Sequence, residues 1–143
     1  MGWFWRGATV RSVVADTHAV IWHFSSSKRL SRKGRAIFKQ VESGQMQVVI
    51  PSIVLVETIF LFQRARVDEA IIKTLLSLSE SPLDSIYIFP LNKAVVTALS
   101  HFGPAVIPEL ADRIIAATAF HLKVPVLTAD FDIQSSSLIK TTW

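Results

Sequence analysis

The chain has 143 residues, of which 50% are hydrophobic and 18% charged, with no cysteine, a formal net charge of +4 and a pI of about 9.8. That length indicates one domain with its own core, and the composition is too apolar for a disordered chain. The missing cysteines exclude disulfides, thiolate catalysis and cysteine zinc sites; the histidines at 18, 23, 101 and 121 are scattered rather than spaced as ligands.

Residues 1–11 read as an N-terminal extension, and 12–143 as the domain. Met1-Gly2-Trp3-Phe4-Trp5-Arg6-Gly7 lacks the long apolar region of a secretory signal, so a cytoplasmic location is expected. Val13-Val14-Ala15 is a short apolar strand ending at Asp16, and Thr17 to Trp22 can begin a helix. Asp16 at that junction is either a helix cap or a carboxylate at the mouth of a sheet. His18 can approach the same crevice, but reads better as a half-buried spacer. Lys28-Arg29-Leu30-Ser31-Arg32-Lys33-Gly34-Arg35 concentrates five positive charges, with Ser31 a fitting N-cap for a helix toward Glu42. These charges are either a solvated face or a grip on a phosphate backbone through Arg29, Arg32, Lys33 and Arg35.

Gln47 to Ile50 is the second strand. Met46 to Phe62 carries a single charge, Glu57, but Pro51-Ser52 divides it into a strand and a helix, and a carboxylate in hydrocarbon is costly; no membrane span is expected. In the helix Ser52 to Arg64, apolar residues surround Glu57 on every face. That predicts a largely buried helix, whose Glu then needs a partner or a cation. Asp68 to Leu78 is an amphipathic helix broken near Pro82. Ser85 to Phe89 is a third strand, Leu91 to Phe102 a helix ended by Gly103-Pro104, and Pro108 introduces a helix holding Asp112 to Thr118. Three alanines at 116, 117 and 119 allow close packing on a sheet. Pro125 to Thr128 is a buried strand followed by Asp130, and Leu138 to Thr141 is a last, poorly buried strand. Strands alternating with helices argue an α/β fold with a mainly parallel sheet covered on both faces.

Four acids fall at equivalent places: Asp16, Glu57, Asp112 and Asp130, with Glu109 on the face of Asp112 three residues earlier. Carboxylates crowded together repel unless protons or a cation neutralise them. Oxygen-only ligands favour Mg²⁺ or Mn²⁺, and an acidic centre with a basic surface is the logic of a metal-dependent nuclease.

Val13-Val14-Ala15-Asp16-Thr17-His18-Ala19, Glu57 in its apolar helix, Ala111-Asp112-Arg113-Ile114-Ile115-Ala116-Ala117-Thr118-Ala119 and Leu127-Thr128-Ala129-Asp130 together resemble PIN-domain proteins of the VapC toxin type. The resemblance covers about positions 12 to 141. It implies a three-layer α/β/α sandwich and a Mg²⁺- or Mn²⁺-dependent ribonuclease. It also implies a homodimer whose site a VapB-type antitoxin covers. Asp16, Glu57, Asp112 and Asp130 resemble the family's metal-binding acids, Thr17 and Thr128 the hydroxyls beside the first and last of them, and Glu109 a place where relatives often show Asp. The sequence departs from relatives at Ile107 and Leu110, which stand where a His and a Pro are frequent, and at Val54, where Ser or Thr is frequent. Two other readings stand beside this one. One is a Mg²⁺-dependent phosphohydrolase of small phosphoesters, against which Asp16-Thr17-His18 lacks a second Asp two places on. The other is a non-catalytic PIN-like binding module.

Overall fold

The computed structural model describes residues 11–80 and 85–143. The extension up to residue 10, with Trp3 and Trp5, and the helix break at Pro82 lie outside the described residues. Strand β1 (Arg11–Ala15) pairs with β2 (Met46–Pro51), with Val13 opposite Val48 and Val14 opposite Val49. β2 pairs with β3 (Ile86–Phe89), with Ile50 opposite Ile88. On its other side β1 pairs with β4 (Val126–Leu127), which pairs with β5 (Thr141–Thr142). Every pairing is parallel and the order is β3-β2-β1-β4-β5. β2 is buried at every position, as its unbroken apolar run requires of a central parallel strand.

Helices α1 (Thr17–Phe24) and α2 (Arg32–Glu42) connect β1 to β2; α3 (Ser52–Gln63) and α4 (Glu69–Glu80) connect β2 to β3. α5 (Lys93–Leu99) and α6 (Leu110–Leu122) connect β3 to β4, and the short α7 (Phe131–Gln134) leads to β5. Right-handed crossovers in this order place α1–α4 over one face of the sheet and α5–α7 over the other, giving the three layers. Ser31 caps α2 by accepting the Gly34 N–H at 2.9 Å, and Asn92 caps α5 by accepting that of Val95 at 3.0 Å. Asn92 starts α5 and Ser100 ends it, so this helix is shorter than the Leu91–Phe102 span its composition suggests.

The core joins Val13, Val14, Val48, Val49 and Ile50 to α6, where Ile115, Ala116, Ala117 and Ala119 have no exposed surface. The small alanines let α6 lie close on β1 and β2.

Further expectations need correction. α3 is not largely buried: Val54 and Thr58 are, but Val56 is 59% and Phe60 51% exposed. The helix packs on α1, α4 and α6 and leaves its remaining apolar face open. His18 is exposed rather than half-buried. Trp22 and Trp143 are half-buried against each other, with ring centroids 5.8 Å apart. The last strand begins later than Leu138, which is exposed.

Candidate active site

The sheet changes direction at β1: β2 and β3 lie to one side, β4 and β5 to the other. In an open parallel sheet the crevice outside the carboxyl ends of the strands at such a reversal is the natural ligand site. Asp16 follows β1 there, and Thr128 and Asp130 follow β4. α3 packs against both α1 and α6, which carries Glu57 and Asp112 to the same crevice.

Asp16 is buried, and both its oxygens are engaged. Oδ1 accepts the Ala19 N–H at 2.9 Å, capping α1. Oδ2 accepts the Thr128 hydroxyl, and Thr128 Oγ1 in turn accepts the Asp130 N–H at 2.9 Å. The cap is therefore real, and it takes only one of the two oxygens. Asp130 Oδ1 accepts the Ile133 N–H at 2.9 Å, so this acid also starts a helix, α7. Glu57 is half-buried and its Oε1 accepts the Thr17 hydroxyl, which supplies the partner that its apolar helix demands. Asp112 is the third residue of α6, and Glu109 is the exposed residue that precedes this helix.

These carboxylates share one electrostatic field. The carboxyl of Asp112 is pushed from 3.8 up to about 7, first by burial and then by the charges of Asp130, Glu57, Asp16 and Glu109. Each charged group that acts on it is another carboxylate. Arg113, the next residue, offers no offset: its Nη2 turns back to the Pro108 carbonyl at 3.4 Å, and its buried Nε has no hydrogen-bond partner among the described residues. Asp16 is also raised. Burial outweighs the Thr128 and Ala19 hydrogen bonds and the lowering effect of nearby His18, and Asp130 adds to the rise.

Asp16, Glu57, Asp112 and Asp130 are thus brought together with Glu109 at the rim, while Thr17 and Thr128 orient Glu57 and Asp16. Among the described residues, no group of three or more His, Cys, Asp or Glu side chains is arranged to hold a metal ion. The donor set nevertheless has the chemistry of a hard-cation site. It is all oxygen, it is net negative, and the repulsion that adds to the effect of burial on Asp112 is what a divalent cation relieves.

The basic segment lies elsewhere. Arg29, Arg32, Lys33 and Arg35 are exposed. Arg32 and Arg35 line a cavity with Trp22 and His23, toward the C-terminal end of α1, whereas Asp16 caps its N-terminal end. Arg35 Nη1 donates to the Leu30 carbonyl at 2.7 Å. His18 does approach Asp16, whose charge it acts on, and it tilts against Trp22, four residues on along α1, with centroids 5.4 Å apart; that spacing was the sign of the ring contact.

No helix among the described residues is long and apolar enough to cross a membrane. No curated protein matches the chain. Among solved structures, the chain resembles one in VapBC2 from Rickettsia felis bound to a DNA fragment from their promoter, with a TM-score of 0.63 and 11% identity over 92% of this chain and 97% of that one. It is similar to a chain of FitAcB from Neisseria gonorrhoeae, with a TM-score of 0.61 and 18% identity over 92% and 96%. It is also similar to one in a toxin-antitoxin complex from Klebsiella pneumoniae, with a TM-score of 0.61 and 19% identity over 92% and 98%. At these identities the likeness is one of fold. The PIN domain family model matches residues 13–136, so the chain belongs to the PIN-domain family.

Proposed function

We propose that the protein is a Mg²⁺- or Mn²⁺-dependent endoribonuclease, the toxin of a toxin–antitoxin pair. The observation that carries this reading is the set of carboxylates at the reversal point of the sheet, where burial first and then the charges of its neighbours lift Asp112 to about 7. Such repulsion is costly to a fold and has a use where a cation is to be held. Asp16, Asp112 and Asp130 would hold it, with Glu57 as a further ligand or an orienter of water. A divalent cation there supplies positive charge against a phosphodiester and lowers the pKa of water.

The chain's own residues fix the acids that do this. Thr128 bridges Asp16 and the Asp130 backbone, so two acids from different strands move as one. Thr17 fixes which way the Glu57 carboxylate points. The partial positive end of α6 lies beside Asp112 and favours its charged form, opposing the neighbouring acids. Arg29, Arg32, Lys33 and Arg35 contact phosphates away from the cut.

The similar structures, which include a toxin-antitoxin complex, support an antitoxin partner, here a VapB-type peptide covering the crevice. The open apolar stripe of α3 supports a homodimer.

The test is incubation of purified, partner-free protein with a structured RNA pool in Mg²⁺, Mn²⁺ or EDTA, beside Asp112→Asn. Fragments that require metal and vanish in the variant are expected. Cleavage in EDTA, or undiminished cleavage by the variant, defeats the mechanism. Hydrolysis of small phosphoesters with RNA untouched would make the protein a phosphohydrolase instead.

A further inference from the structure

Between α1 and α2 lies a cavity of about 630 Å³. Its aromatic wall is Trp22 and His23, the latter stacked flat on Phe38 with centroids 3.8 Å apart and planes 4° apart. Its rim carries Lys28, Arg32, Arg35 and Lys39 against one acid, Glu42. Among the described residues none of these four cations is in a salt bridge; the ion pair present is Lys73–Glu69, far along the sequence. Flat aromatic walls below cations that have no salt-bridge partner suit a ligand made of planar rings joined by phosphates.

The cavity is connected to the acids by α1 itself. Trp22 lies six residues beyond Asp16, a rise of roughly 9 Å along a helix. His18, exposed and close enough to Asp16 to act on its charge, lies against Trp22 between the two. A single strand lying over the acids therefore meets one ring, then a second, then the cationic rim, within the reach of a few nucleotides.

We propose that this cavity is an RNA-binding subsite, in which a base rests on the Trp22–His23 wall and flanking phosphates are held by Lys28, Arg32, Arg35 and Lys39, a few nucleotides from the acidic crevice. This rests on the ribonuclease reading for its substrate class, but it concerns binding rather than cleavage. An acidic peptide is the rival occupant. It would use the cations and leave the flat wall without a role, which favours RNA.

The test uses the full chain carrying Arg32→Glu and Lys39→Glu. Arg32 opens α2, where a carboxylate suits the positive helix end, and both side chains are exposed, so folding should be retained; a melting curve checks this. Binding of a fluorescent oligoribonucleotide is measured by anisotropy in EDTA, so that cleavage plays no part. The double variant is expected to bind about tenfold more weakly at low salt, with the slope of log affinity against log salt reduced by about 1 to 2. A polyphosphate of equal charge is expected to bind more weakly than RNA, since it has no base for the wall. With metal, the variant should need more of a long RNA to reach half-maximal rate.

Unchanged RNA affinity in the variant overturns the subsite, whether or not the wild type cleaves RNA. Equal binding of polyphosphate and RNA overturns the base contact. Tight binding of polyglutamate by the wild type, lost in the variant while RNA binding is unaffected, assigns the cavity to an acidic peptide. A wild type that never cleaves RNA, yet binds it through Arg32 and Lys39, supports the subsite and removes the nuclease reading.

Discussion

Thr128 joins two acids that are otherwise independent: its hydroxyl donates to Asp16 Oδ2 across 112 positions of sequence and accepts the backbone N–H of Asp130 at 2.9 Å. It has no exposed surface, so water cannot replace it. Thr128→Val keeps the shape and removes both bonds, leaving a buried carboxylate oxygen and an N–H unpaired. The expected cost is about 1–3 kcal/mol of stability, with cation affinity lowered as Asp16 loses its fixed orientation. Thermal melts with and without Mn²⁺ measure both effects. A melt within a degree of wild type would mean that the hydroxyl bridge is not made in solution.

The raised carboxyl of Asp112 gives the metal-free protein a pH dependence of definite sign. Its pKa is about 7 in the fold against 3.8 ordinarily, so between these values the native state holds a proton that the unfolded chain has released. Stability in EDTA should therefore fall as pH rises from roughly 4 to 7 and level off above that. Buried Asp16 is shifted in the same direction and adds to the fall. Asp112→Asn should remove much of the slope and stabilise the metal-free protein at pH 8 by on the order of 2 kcal/mol, a figure discounted for the partial solvent access of Asp112. Denaturant titrations at several pH values provide the measurement. A slope unchanged by the substitution would show that other groups set it.

Cation binding should reverse that penalty. Mn²⁺ titrated at pH 7.5 is expected to raise the melting temperature of wild type by several degrees and to release protons from the crevice. Asp16→Asn should bind the cation at least tenfold more weakly. Calorimetry in two buffers of different ionisation enthalpy reads the proton count directly. Equal affinity in wild type and variant would remove Asp16 from the site.

Much of this arrangement was legible in the sequence because local signals and global placement agree. The apolar runs at Val13–Ala15 and Val48–Ile50 lack the alternation of a half-exposed sheet and became central parallel strands. Asp16 directly after one apolar run and Asp130 three residues beyond another read as acids near strand ends, and both lie there. Ser31 marked the start of α2 by type and position. What local pattern could not carry was arrangement between elements. The apolar circumference of α3 suggested burial, but this helix spans the crevice edge between α1 and α6, so Val56 and Phe60 point outward. The aromatic and cationic cavity was equally illegible. Trp22 and Lys39 come from different helices, and nothing in either segment alone brings them together.

The same outward face of α3 yields the last prediction. Val56 and Phe60 are one helical turn apart, 59% and 51% exposed, and Phe62 adds a further 38% exposed ring nearby. Contiguous apolar surface on a well-packed domain is usually covered by a partner. A second copy of the chain is the expected cover, since this helix stands beside the crevice rather than across its mouth. The double substitution Val56→Lys with Phe60→Glu should convert the homodimer to a monomer in sedimentation velocity at micromolar concentration. The fold should tolerate it. Neither side chain belongs to the core, and a carboxylate at position 60 would stand one turn before Arg64, whose guanidinium now lies 4.3 Å from the Phe60 ring centroid. Divalent-cation binding by the monomer should stay within about twofold of wild type, because the acids Asp16, Glu57, Asp112 and Asp130 all belong to one chain. A wild-type protein that already sediments as a monomer would exclude the homodimer. A double variant that remains dimeric would move the interface to another face.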